Sequence, residues 1–171
     1  GKTLGWFQGR MEWGPRALGS RSILADPGDP KMKRRLNNIK GRYDFQPVAP
    51  AVLQSSAADF LVCPDPSPHM LFARKVRPEV RDRIPSAVHA DGTARVQTVE
   101  ESTSPLFFRL ISEFAKLTGV PAVLNTSLNR KGKPIACTIE QAFDCFFNSG
   151  LDYLALGPFI VGKVKLPNHD A

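Results

Sequence analysis

The chain has 171 residues, 42% of them hydrophobic and 23% charged, and a net charge of +7. That is the composition of an ordinary soluble domain with enough length to bury a substantial core. No apolar run approaches the roughly 20 residues a membrane-spanning helix needs and no secretory segment opens the chain, so a cytoplasmic, non-membrane protein is expected.

The elements follow in chain order. Residues 2–8 alternate around Leu4 and Trp6 and read as a strand that leads into a glycine-rich segment, residues 9–24. Asp29 and Pro30 form a helix start, Met32, Leu36 and Ile39 share one helical face, and Gly41 ends it, which puts Lys40 in the last turn. Residues 51–53 suit a short strand, 55–61 a short helix, and 64–68 a proline-rich loop. Residues 70–76 read as a strand. The pair Asp91-Gly92 signals a hairpin between 86–89 and 94–99, with Arg95 near the start of the return strand. Residues 104–116 carry an N-cap serine, a proline at the first position and a helical apolar stripe from Leu106 to Phe114, closed by Gly119. A buried strand at 122–124 delivers a polar loop, 125–133, and Thr138 with Gln141 opens a further helix as a capping box. Residues 153–156 and 159–164 close the chain as two strands paired around Gly157-Pro158. Helices and strands mix without a regular βαβ rhythm, so the expected fold is α+β, or three-layer α/β, with a largely mixed sheet flanked by helices in one domain over residues 1–171.

The chemistry is narrowed by what is missing. The histidines His69, His89 and His169 stand far apart, without metal-ligand spacing to a cysteine or carboxylate. The odd-numbered cysteines Cys63, Cys137 and Cys145 lack Cys-x-x-Cys spacing and read as buried reduced thiols. No nucleophile elbow, Walker loop or paired carboxylates accompany the basic segments. What remains is a set of cations and neutral hydrogen-bonding groups: Arg10, Arg16, Arg21, Lys40, Arg95, Asn125, Ser127 and Asn129. Three of the arginines stand among glycines in residues 9–24, where backbone N–H groups can approach a ligand and guanidinium forks fit phosphate or carboxylate oxygens. Such a set orients and neutralises a polyanion, the main route to catalysis of phosphoryl and nucleotidyl transfer.

The glycine-arginine segment, with Asp26-Pro27, Lys40, the run Phe45-Gln46-Pro47-Val48-Ala49-Pro50 and the run Asn125-Thr126-Ser127-Leu128-Asn129, resembles the C-terminal domain of the NodU/CmcH family of O-carbamoyltransferases, from Gly5 to about Gly162. The resemblance implies a YrdC-like domain that uses ATP, with Mg2+, and carbamoyl phosphate to make carbamoyl adenylate. It also implies a Kae1-like, metal-containing amino-terminal domain that passes the carbamoyl group to a hydroxyl of a small-molecule acceptor. The chain is accordingly expected to be a fragment of a longer polypeptide, without a tightly bound metal of its own. Arg16, Lys40 and Arg95 would carry the anionic groups, Asn125 and Ser127 would donate to phosphate or carbamoyl oxygens, and Arg10, Arg21 and Asn129 stand second, since an arginine tied to a buried carboxylate such as Glu12 has a structural reading. His89 and Asp91 are expected to shape the hairpin.

One position departs from the family pattern. Where the family usually presents Phe-Arg-Pro-Phe-Ala-Pro, Gln46 replaces the arginine; either a neighbour such as Arg42 compensates, or anion affinity is lower, or the substrate differs. Two other readings stand beside the enzyme. The basic clusters at 31–42 and 74–83 could bind an RNA backbone, against which stands the placing of the aromatics in core periodicity, and the domain could be purely structural.

Overall fold

The computed structural model describes residues 1–163 and builds them into the strands β1 (Thr3–Phe7), β2 (Arg21–Ala25), β3 (Ala49–Leu53), β4 (Ala73–Lys75), β5 (Thr93–Arg95), β6 (Gln97–Val99), β7 (Ala122–Ser127), β8 (Tyr153–Leu156) and β9 (Phe159–Gly162), and the helices α1 (Met32–Lys40), α2 (Ala57–Phe60), α3 (Pro105–Thr118) and α4 (Ile139–Phe147). Seven strands form one sheet in the order β6-β3-β7-β2-β1-β8-β9. The β1/β8 and β3/β6 pairs are parallel and the others antiparallel, so the sheet is mixed. The expected end of the last strand at Val164, and His169, lie outside the described residues.

Side chains that alternate along the central strands supply two cores. Ile23, Ala25, Leu124 and Leu154 face Met32, Leu36 and Ile39 of α1 and Ala142, Cys145 and Phe146 of α4. Their neighbours Leu24, Val123 and Ala155 face Phe107 and Ile111 of α3, together with Trp6, Ala51 and Leu53. A period of two thus places helices on both faces of the sheet, an α+β arrangement. Several helix termini follow their sequence signals, whereas Ser104 precedes α3 without a side-chain capping bond. Gly41 ends α1 and Gly119 ends α3 in the left-handed region, and the reciprocal Thr138–Gln141 capping box opens α4. At the start of α1 the first turn is made by Asp29, whose side chain accepts from the Lys31 N–H while its carbonyl accepts from Met32 N–H.

Four expectations are corrected. Residues 86–89 form no strand: the Asp91-Gly92 turn is present, but β5 pairs with β4, while β6 joins the main sheet beside β3. The expected return strand 94–99 is divided between the two sheets at Val96. Of the expected strand at 70–76, β4 forms and Val76 makes an isolated antiparallel bridge to Leu61, while Met70 takes a φ of 55°, outside the extended region. The strand expected at 122–124 runs on through Ser127, so Asn125 and Ser127 stand on a central strand held by β3 and β2, where ladder pairing overrides their turn preference. Only Cys145 is buried; Cys63 and Cys137 are exposed free thiols. Among the described residues no helix is long and apolar enough to cross a membrane.

Candidate functional site

The glycine-arginine loop is folded around one carboxylate. Glu12 Oε1 accepts from the backbone N–H groups of Leu18 (2.6 Å) and Ser20 (3.0 Å), and Oε2 accepts from that of Arg21 (3.0 Å). Burial raises the Glu12 carboxyl above its ordinary range, opposed by those three N–H groups and the Arg21 charge. Gly19 fits the loop against α3, since its φ is 116° and a Cβ there would lie 2.3 Å from Phe107. The effect is to turn Pro15, Arg16 and Ala17 towards the middle of the sheet.

There they form one side of a cavity of about 60 Å³, enough for a group of a few heavy atoms such as one phosphate. Arg42, Pro47, Val48 and Ala49 make the second wall, Met70 and Arg95 the third, and Asn125, Thr126 and Ser127 of β7 the floor. Three guanidinium-bearing residues from separate stretches of chain therefore line one small space, and among the described residues no carboxylate lines it. Arg95 is pushed down from its ordinary value first by burial and then by the charges of Arg16 and Arg42; Arg42 is pushed down by burial. Arg42 Nε and Nη2 and Arg95 Nε are buried and have no hydrogen-bond partner among the described residues. Buried donors are ordinarily satisfied, and an oxyanion in this space has the charge and the lone pairs to do so.

Lys40 stands behind the floor. Its Nζ, on a residue only 5% exposed, donates to the Ser127 carbonyl (2.5 Å), to Ser127 Oγ (2.9 Å) and to Asn129 Oδ1. Burial, and then the Arg42 charge, push the ammonium down to about 7, while three accepting oxygens favour its charged form. Ser127 Oγ also donates to Asn129 Oδ1 (2.7 Å), and Asn129 Nδ2 donates to the Lys133 carbonyl (2.6 Å). Lys40 thus ties the last turn of α1 to the 127–133 loop and bears on the cavity through Ser127. Asn129 lines a neighbouring cavity of about 410 Å³ with Arg130, Lys133 and Asp144.

Of the residues expected at the site, the structure brings Arg16, Arg95, Asn125 and Ser127 together around one cavity with Lys40 directly behind. The Asn125 amide hydrogens are already engaged by the Ala17 carbonyl (3.1 Å) and by Gln97 Oε1 (2.8 Å), leaving its buried Oδ1 as the free atom. Its donors therefore position the Arg16 loop. Arg21 points elsewhere: it donates to the carbonyls of Gln8 (2.7 Å), Ser20 (3.0 Å) and Gly9 (3.1 Å), with its guanidinium 3.6 Å from the centre of the Phe7 ring. Arg10 is exposed on the loop, outside the cavity lining. Gln46 is half-buried and outside the lining as well, whereas Arg42 is part of it.

One contributor was missed by reading the sequence, and another was named only as a stand-in. Arg42, named as a neighbour that could compensate for Gln46, lines the cavity, immediately after the helix-ending Gly41 where the chain leaves α1 beside Lys40. Gln97 gave no signal beyond a polar residue in an apolar strand, yet its Nε2 donates to the Leu18 carbonyl (2.8 Å) while its Oε1 holds Asn125. The second basic cluster is largely committed within the fold: Arg77, Arg81 and Arg83 donate to the carbonyls of Ala58, Val76 and Gly119. A groove of about 770 Å³ between α3 and β1/β2 is larger than the cationic cavity, but it is lined by Leu4, Trp6, Leu110 and Phe114 and gathers none of the expected site residues.

Residues 1–163 match the family model described as Carbamoyltransferase C-terminus. An uncharacterized protein of Synechocystis is 39% identical over 191 residues, covering 99% of this chain and 31% of the relative. Nodulation protein NolO of Bradyrhizobium diazoefficiens is 42% identical over 167 residues, covering 95% of this chain and 30% of the relative. Nodulation protein U of Rhizobium tropici is 47% identical over 132 residues, covering 77% of this chain and 23% of the relative. The chain therefore spans less than a third of the length of these curated relatives.

Proposed function

This chain belongs to the carbamoyltransferase C-terminus family, and we propose that it is the carboxy-terminal, YrdC-like domain of a longer cytoplasmic O-carbamoyltransferase in which carbamoyl phosphate and ATP meet. The observation that supports this reading is the convergence of Arg16, Arg42 and Arg95 on a cavity that no carboxylate of the described residues lines. In that space a phosphate group would exchange water for fixed guanidinium donors, and the three cations would relieve their mutual repulsion on it.

In this domain the reaction proceeds in two steps, before the carbamoyl group is passed on. Water cleaves carbamoyl phosphate to carbamate and phosphate. A carbamate oxygen then attacks the α-phosphorus of ATP, giving carbamoyl adenylate as the bond to pyrophosphate breaks. Arg16, Arg42 and Arg95 hold the phosphoryl oxygens and offset the charge gathering on the leaving groups, and Ser127, steadied by Lys40, contributes its hydroxyl at the floor. With no carboxylate in the lining, magnesium would enter as the nucleotide's own counter-ion. The carbamoyl group then passes to a hydroxyl of a small-molecule acceptor in a Kae1-like, metal-containing amino-terminal domain: the hydroxyl oxygen bonds to the carbamoyl carbon, AMP leaves, and the proton passes to solvent.

The test is exchange of labelled pyrophosphate into ATP that depends on carbamoyl phosphate, together with calorimetric binding of each substrate. Arg42→Ala and Arg95→Ala each remove charge-assisted hydrogen bonds and are expected to weaken carbamoyl phosphate binding by about 10- to 100-fold. Binding at wild-type strength in both variants overturns the proposal.

A further inference from the structure

The two faces of the seven-stranded sheet are covered unequally. Among the described residues α1, α2 and α4 all contribute to the core on one face, whereas α3 is the one helix that contributes to the core on the other. It packs on β3 and β7, so on its side the half of the sheet made by β1, β8 and β9 has no helix of its own. The strand registers carry this bare surface to the sheet edge. Trp6 stands opposite Ala155 and Ala155 opposite Ile160, while Leu4 stands opposite Tyr153, so these side chains share one face. Ile160 is 73% exposed and Tyr153 41%.

The groove of about 770 Å³ is the inner border of that surface. Its helical wall is Leu106, Leu110, Phe114 and Leu117, spaced to form one stripe along α3, and Leu117 is 86% exposed. The charges that line it are balanced, Lys2 and Arg109 against Asp26 and Glu113, in a chain of net charge +7. Such a lining offers an anion little, whereas a broad apolar surface of this kind marks a contact with protein.

The topology indicates what covers it. β1 and β7 each pair antiparallel with β2 and therefore run in the same direction. α3 enters β7 through residues 119–121, and Gly1 and Lys2, which enter β1, line the groove beside Asp26 and Thr118. A segment that reaches β1 along the groove stands to β1 as α3 stands to β7, parallel to α3 and against its flank. The matching family model is described as a carboxy terminus, and this chain covers 31% and 30% of two longer relatives, so most of their remaining length precedes the matched part. The stripe from Leu106 to Leu117 is about 16 Å long, three turns of helix, and a helix about 10 Å wide spans two strands.

We propose that the polypeptide immediately preceding Gly1 in the longer protein forms an amphipathic helix that lies in this groove beside α3, with its apolar face over β1 and β8. The proposal rests on the reading of this chain as one domain of a longer protein and adds the surface on which the preceding part is anchored.

The experiment uses the longer protein. Leu106→Cys and Leu117→Cys are made singly, and alkylation of the introduced thiol by N-ethylmaleimide is followed by peptide mass spectrometry in native buffer and in urea, with the exposed Cys63 as reference in the same molecule. Each introduced thiol is expected to react about tenfold or more slowly in the native protein, because the covering helix must open first. A photo-reactive benzoylphenylalanine in place of Leu117 is expected to crosslink to the segment directly before Gly1. Reaction of both thiols at the rate seen in urea overturns the proposal, as does crosslinking to a second copy, to residues 164–171 or to a distant part of the longer protein. Carbamoyl-phosphate-dependent pyrophosphate exchange separates the two levels: exchange retained with both thiols unprotected strikes the docking surface alone, whereas a coding sequence with no polypeptide before Gly1 strikes the reading on which it rests.

Discussion

Replacing Lys40 by methionine tests whether a charge is held under strain behind the cavity. In the folded chain the ammonium is pushed down from its ordinary 10.5 to about 7, chiefly by burial. A base with a lowered folded value binds its proton less readily folded than unfolded, so between those limits the unfolded state carries the extra proton and stability rises with pH. The window from 7 to 10.5 is about 3.5 pH units wide, and each unit is worth about 1.36 kcal/mol, which gives an upper bound of about 5 kcal/mol. The three oxygens that accept from Nζ reduce this by favouring the charged form, so a rise of about 2 kcal/mol or more is expected. The assay is urea unfolding of wild type and Lys40→Met at half-unit steps from pH 6.5 to 10.5. Other titrating groups contribute to both curves, so the difference between them isolates Lys40. The wild type should gain on the variant steadily as pH rises. Parallel curves would refute the reasoning and show that Lys40 keeps its ordinary proton affinity. The same ammonium should answer to a ligand: sulfate, which does not titrate in this range, should raise its proton affinity when it enters the cavity, and calorimetry at pH 7.5 in two buffers of different ionisation enthalpy should show proton uptake that Lys40→Met abolishes.

The loop makes two further predictions. Glu12→Ala leaves three loop N–H groups without their acceptor, and is expected to lower stability by about 2 kcal/mol and to weaken sulfate binding through the loosened Arg16, whereas unchanged affinity would mean that Arg16 is held by other means. Gly19→Ala combines a positive φ with a Cβ driven into Phe107 and should destabilise the domain by about 2 to 4 kcal/mol in urea unfolding; a loss under 1 kcal/mol would show that α3 can shift to make room.

The legible parts of this fold are those whose signals are local. The spacing of Met32, Leu36 and Ile39, the terminating glycines at 41 and 119, and the Thr138–Gln141 box each carry their cause within a few residues, and the helices stand where those signals put them. The strands around the site depend on partners distant in sequence. Nothing in residues 21–25 within the arginine segment announces a strand between β1 and β7, and nothing near Asp91-Gly92 says that the return strand will pair with residues 73–75. Residue types singled out Arg16, Arg95, Asn125 and Ser127, and these four come to one cavity. Their assignments to tasks could not. Arg21 resembles Arg16 in sequence, yet it is drawn to carbonyls of the loop base, and whether the Asn125 amide faces a ligand or a neighbour is decided by Gln97, 28 residues away.

The gathering of like charges at the cavity carries an electrostatic cost within the fold. Arg16, Arg42 and Arg95 line one small space, and Arg95, already pushed down by burial, is pushed further by the charges of the other two with no acidic side chain of the described residues in the lining. On the proposed reading, a multivalent oxyanion small enough to enter would relieve that repulsion, so part of its binding energy would be set aside when the protein folds. The domain should be most easily melted in dilute, phosphate-free buffer, and its hardest-to-remove contaminant should be whatever polyphosphate it last met.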